Sequence, residues 1–160
     1  MRAMRAWGGL LLVVAGGAWA QNYPVKPVRV VIPWPPGGSN DAVGRIVMSK
    51  LSEFMGQQFV VDNRGGTNVP PGIVANATAD GYTVMVGANT MLIAANLYRN
   101  VPFNPVSDFA PISLAAYGTL LLATNPKANI ASVQEMIAQA KARPGKITYA
   151  SPGVGTPHHM

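Results

Sequence analysis

The chain has 160 residues, with twelve Lys or Arg against six Asp or Glu, two His and no Cys, for a net charge of +6. The absence of cysteine excludes disulfides, thiolate metal sites and a cysteine nucleophile. The basic residues stand singly along the chain and form no stripe, which excludes a nucleic-acid footprint.

Arg2 and Arg5 precede an uninterrupted run of apolar residues and glycine from Ala6 to Ala18. Ala18-Trp19-Ala20 then supplies small residues at the positions a signal peptidase requires. Residues 1–20 therefore read as a secretory signal cleaved after Ala20. The alternative, a membrane anchor, needs about 20 apolar residues to span a bilayer, and this run is shorter. With no cysteine after the run, a lipid-anchored form is not expected. Cleavage removes two basic residues and no acid, leaving ten basic and six acidic residues and a net charge of +4. The expected product is a soluble exported protein.

Val28 to Ile32 is a β-branched run stopped by Pro33, the pattern of a buried strand. The loop Pro33 to Asn40 follows. Val43, Ile46, Val47, Leu51, Phe54 and Met55 then recur at helical spacing. Ser39 or Asn40 is the expected cap, Asp41 suits the positive end of the helix dipole, and Gly56 suits the stop. Phe59 to Val61 reads as a second strand and Asn63 to Gly72 as a turn-rich segment. Ile73 to Ala79 reads as a short helix, and Tyr82 to Val86 as a third strand after the turn at Asp80-Gly81. Pro102, Pro105 and Pro111 keep residues 99–111 irregular. Leu120 to Ala123 reads as another buried strand. Ser132 and Glu135 form a capping box for a helix through Ala142, closed by Pro144-Gly145. Ile147 to Ala150 reads as a last strand. Strands alternating with helices imply an α/β fold with a largely parallel sheet.

Four segments follow expected strands and carry hydroxyl, amide or glycine residues. The first holds Pro35, Gly37, Gly38, Ser39, Asn40 and Asp41, where open α/β sheets place ligands. Its glycines allow close backbone approach, and the first N–H groups of the following helix lack internal partners, so an anion can satisfy them. A tight strand-to-helix turn with no ligand is the competing reading. The second segment holds Gly66, Thr67 and Asn68, and the third Asn89 and Thr90. The fourth holds Ser151, Gly153, Gly155 and Thr156, with His159 close behind. Together they describe one cleft rimmed by neutral donors, suited to a small carboxylate. Trp34 either lines that cleft or packs beneath its loop.

Catalytic patterns are sparse. The first loop lacks the Gly-Lys-Ser/Thr of a P-loop and the spacing of G-x-G-x-x-G. No G-x-S-x-G elbow occurs. The six acids show no metal-ligand spacing, so neither a metal nor a cofactor is expected. Asp41 is either a base or a dipole partner at the helix start.

Several ordered segments carry a family resemblance: Tyr23-Pro24, Ile32 to Asp41, Leu51 to Gly56, Asn63-Arg64, Asp80 to Thr83, Asp108 to Ile112, Pro144 to Ser151 and Gly153 to Thr156. The mature chain resembles, over essentially its whole length, the Bug (TctC-like) receptors of tripartite tricarboxylate transporters. The resemblance implies a type II periplasmic-binding-protein fold of two lobes closing on a small organic acid, without catalysis. The implied ligand is a di- or tricarboxylate, an acidic amino acid or an aromatic acid, and the implied partners are the membrane components of the transporter. The implied division places the main part of lobe 1 at residues 21–112 and the start of lobe 2 at 113–160. Two features depart from the pattern. Gly66-Thr67-Asn68-Val69-Pro70-Pro71 stands where the family carries a glycine-rich stretch, and similar proteins are about twice as long, which implies a truncated second lobe. Two other readings stand beside the receptor: a small exported α/β hydrolase-like enzyme using Asp41 or His159, and a truncated product without function.

Overall fold

A computed structural model describes residues 22–160. The expected signal at residues 1–20 lies outside them. The centre is a three-stranded parallel sheet of β1 (Val28–Ile32), β2 (Phe59–Asn63) and β3 (Thr83–Met85), in the order β2-β1-β3. Val30 pairs with Val61 on one side and Val84 on the other. As the middle strand, β1 has Val28, Val30, Val31 and Ile32 at 0% exposure, so both its faces are covered. That is why its sequence is an apolar run and not an alternation.

Helix α1 (Ser39–Met55) joins β1 to β2, and α2 (Val69–Ala75) carries the chain back across β1 to β3. The two crossovers run in opposite directions, so right-handed connections place these helices on opposite faces of the sheet. Helix α1 crosses close at Gly44, where a Cβ would stand 2.6 Å from Ile32 Cδ1. Any larger residue there would have to push the buried Ile32 side chain aside. The stop at Gly56 is as expected: its N–H donates to the Ser52 carbonyl at 3.1 Å. The start differs. Gly38 occupies the cap position and neither Ser39 nor Asn40 caps the helix, because the helix already includes both.

Helix α2 begins four residues before the expected position. Pro70 and Pro71 occupy its first turn, where a missing N–H costs nothing. Helix α3 (Thr90–Leu97) gives no clear sequence signal, since its apolar residues do not gather on one face.

Beyond residue 109 the structure departs most from the sequence reading. Neither Leu120–Ala123 nor Ile147–Ala150 forms a strand. A strand needs a neighbour to pair its N–H and carbonyl groups, and both segments lie apart from the sheet. Helix α4 (Val133–Ala142) forms as its capping box implies: Ser132 Oγ accepts the Glu135 N–H at 3.1 Å, and the Glu135 carboxylate accepts the Ala131 N–H at 2.8 Å. It nevertheless buries none of its residues.

The N-terminal segment is fastened across the sheet. Tyr23 Oη donates to the Gly81 carbonyl at 2.6 Å, and the Tyr23 and Tyr82 rings meet edge to face at 5.2 Å. Lys26 Nζ lies 4.2 Å over the Tyr82 ring and 3.8 Å from Asp80. Desolvation, then the neighbouring Tyr82 and Asp80, raises the Tyr23 phenol above its usual range.

Candidate functional site

Parallel strands deliver their carboxyl ends to one edge, so the loops after β1, β2 and β3 cluster there. The ladder continues into two of them: Arg64 N–H donates to the Ile32 carbonyl at 2.9 Å, and Val86 N–H to the Val31 carbonyl at 3.0 Å. The first two loops are also tied by side chains. Asn63 Nδ2 donates to the Trp34 carbonyl at 3.1 Å and to Asp41 Oδ1 at 2.9 Å. Gly37 N–H donates to Asp41 Oδ2 at 2.8 Å, while Arg45 donates through Nε to both carboxylate oxygens at 3.0 Å and through Nη2 to Asn63 Oδ1 at 2.8 Å.

Asp41 is the centre of that knot and only 3% exposed. The Arg45 guanidinium, the Gly37 N–H and the Asn63 amide push its pKa down to about 2. Its oxygens are already occupied by donors, so the structure uses Asp41 as a frame for the loop. This favours the dipole-partner reading over the base. Asp62 forms a second frame beside it, its pKa lowered first by Arg29 (Nη2 to Oδ2, 2.6 Å) and then by Arg64.

Inside these frames lies a cavity of about 350 Å³. Pro33, Trp34 and Pro35 line it from the first loop, and Gly65, Gly66 and Thr67 from the second. Tyr98, just beyond α3, forms another wall. Pro152, Val154 and Thr156 reach it from the far end of the chain. Gly155 shapes that approach: it is buried at φ +84°, a backbone conformation that favours glycine, and it lies beside the Tyr98 ring and Thr67.

The sequence-predicted residues thus divide. Pro35, Gly66, Thr67 and Thr156 line the cavity. Gly37, Gly38, Ser39, Asn40 and Asp41 belong to the loop and helix start behind it. Asn68 follows the lining Thr67, and its Oδ1 is buried without a hydrogen-bond partner. Asn89 and Thr90 begin α3 and stay off the lining, with Thr90 buried. Ser151 and Gly153 shape the last loop, where Ser151 Oγ lies 2.9 Å from His159 Nδ1 and Thr156 Oγ1 donates to the Gly153 carbonyl at 2.7 Å. His159 is off the lining as well. Trp34 lines the cavity, and its indole N–H is buried without a hydrogen-bond partner. Sequence reasoning missed Tyr98 altogether, and it pointed to the segments holding or adjoining Pro33, Gly65, Pro152 and Val154 without naming those residues. Tyr98 was hidden because the helix that presents it lacks an amphipathic pattern.

A second cavity of about 360 Å³ lies along α3, lined by Leu92, Ile93, Asn96, Leu97 and Met160. Among the described residues no group of three or more His, Cys, Asp or Glu is placed to hold a metal ion, and no helix is long and apolar enough to cross a membrane.

The chain folds as a parallel α/β sheet with an uncharged cavity at its carboxyl edge, and its structural relatives include periplasmic binding proteins. A protein of R. palustris solved with adipate superimposes with a TM-score of 0.69 at 31% identity, covering 84% of this chain and 46% of that one. MatC from Rhodopseudomonas palustris, solved with bound malate, gives a TM-score of 0.55 at 31% identity over 58% of this chain and 33% of its own. Protein BugT of Bordetella pertussis is 33% identical over 159 residues, 95% of this chain and 49% of its own length. Residues 43–160 match the TctC model, described as the tripartite tricarboxylate transporter family receptor. The chain belongs to this family. It spans about half the length of the curated relatives it matches.

Proposed function

We propose that this protein is a periplasmic solute-binding receptor that captures a small organic carboxylate for the membrane components of a tripartite transporter. The observation that carries the reading is the cavity itself, built at the carboxyl edge of a parallel sheet from glycines, threonines, prolines and two aromatic rings. Loops of this kind hold an acid through main-chain N–H groups and hydroxyls, while apolar walls exclude water. The relatives solved with adipate and malate support the ligand class. Residues 1–20 serve as the export signal, cleaved after Ala20. Residues 21–112 form the main part of one lobe, and 113–160 open the second.

In this reading the protein binds without catalysing. Asp41 is engaged by three donors, and His159, though paired with Ser151, stands away from the cavity lining. Calorimetric titration of the purified chain with adipate, malate, glutamate, benzoate and citrate tests the proposal. Saturable 1:1 binding of at least one acid is expected. Failure of all five to bind would overturn it.

A further inference from the structure

Trp34 is the largest side chain that the first loop gives to the cavity wall. Its ring has no polar hold, since the indole N–H is buried without a partner. Among the described residues, the one hydrogen bond to Trp34 comes from Asn63, whose Nδ2 donates to the Trp34 carbonyl at 3.1 Å. Asn63 itself is off the lining, at the end of β2. Its backbone does not depend on its side chain there. Asn63 is in register with Ile32, and the following Arg64 N–H closes on the Ile32 carbonyl at 2.9 Å. The ladder therefore holds the residue, and the side chain acts across the gap to the first loop.

An amide suits that position. Its two N–H groups meet two acceptors, the Trp34 carbonyl and Asp41 Oδ1 at 2.9 Å, while its oxygen accepts from Arg45 Nη2 at 2.8 Å. An ionised Asp at 63 would offer no donor and would face Asp41 as a like charge. A Ser would be uncharged but one bond shorter. Gly65, Gly66 and Thr67, shortly after Asn63 in the chain, line the cavity from the second loop. One side chain thus sets the spacing of two walls. Walls fixed before a ligand arrives spare the complex the entropy of ordering them. We infer that Asn63 is the positioning residue of the cavity, setting Trp34 against the second loop through its side-chain amide. The consequence for affinity rests on the receptor reading above.

Replacing Trp7 and Trp19 by Phe leaves Trp34 as the single tryptophan of the whole chain, so its fluorescence reports on that wall. In this background Asn63→Asp and Asn63→Ser are expected to increase acrylamide quenching of Trp34 at pH 7. Two replacements keep the test decisive if one fails to fold, and circular dichroism identifies the folded ones. Val30→Ala, a truncation in the sheet core off the cavity lining, should lower global stability and leave the quenching unchanged under native conditions. Unchanged quenching in the folded variants at 63 would overturn the inference. An equal increase in Val30→Ala would overturn it too, because general loosening would then be the cause. Calorimetry with adipate and malate reads the consequence. Affinity for the acid that binds wild type is expected to fall about tenfold in the folded variant at 63, one decade in Kd. Undiminished affinity beside increased quenching would overturn a part for Asn63 in binding. Failure of wild type to bind any of the five acids named above would overturn the receptor reading, and the quenching result would still decide whether Asn63 positions the wall.

Discussion

Residues 22–109 and residues 110–150 differ little in apolar content but greatly in burial. In the first region β1 contributes four side chains with no exposed surface, and a glycine lets α1 lie directly on them. In the second, Leu121 is 91% exposed, and Ile112, Leu114 and Tyr117 are similarly open. An apolar run becomes a strand only where neighbours supply both a hydrogen-bond ladder and a covering face. The helix in the second region persists for a different reason. Its bonds are internal and its capping box satisfies its first N–H groups, so α4 needs less from its surroundings.

Matched truncations should give the largest contrast. Ile32→Ala is expected to cost about 2–5 kcal/mol in denaturant unfolding, as a large-to-small change in a filled core. Leu121→Ala should stay within about 0.5 kcal/mol. Comparable losses would mean that Leu121 is packed in solution and would break the comparison. Native-state amide exchange sharpens the same point: β1 amides should be among the slowest, and residues 112–122 should exchange as an open chain.

The loop frame makes a prediction about acid. Asp41 has a pKa of about 2, below its ordinary 3.8, so its contribution to stability is complete above about pH 4. That contribution is lost as the pH falls through 2. Asp41→Asn should therefore be less stable than wild type at pH 6, and the gap should close between pH 4 and 2. Thermal unfolding across that range measures it, and a constant gap would show that the carboxylate charge is not the cause.

The smallest effect is expected at α4. Ser132→Ala removes the cap and should cost about 1 kcal/mol of local helix stability. Because α4 buries nothing, the loss should register as lower helicity and leave the unfolding midpoint of the sheet unchanged. A shifted midpoint would show that α4 is coupled to the first region.

Part of the cavity was legible. Val28 to Ile32, the glycine loop and the 43–55 periodicity define a strand, a turn and a helix from local pattern alone, and parallel connectivity then brings strand-end loops together. Four predicted residues, Pro35, Gly66, Thr67 and Thr156, do meet at the cavity. What stayed hidden depended on distant partners. Nothing near Asp41 in the chain announces Asn63, 22 positions away, which joins two loops through one amide. Tyr98 is placed by an unpatterned helix, and its neighbour Gly155 lies 57 residues further along the chain.

By itself, the sequence determined the elements whose bonds are local, the α/β class and the family resemblance, because short-range periodicity, caps and ordered motifs are written in adjacent residues. Only the tertiary structure decided which apolar runs pair into a sheet, that Asp41 braces a loop, and that Tyr98 and Val154 face a cavity without charge. Those outcomes depend on what lies across a few ångströms of space between residues far apart in the chain, and a one-dimensional pattern does not record that.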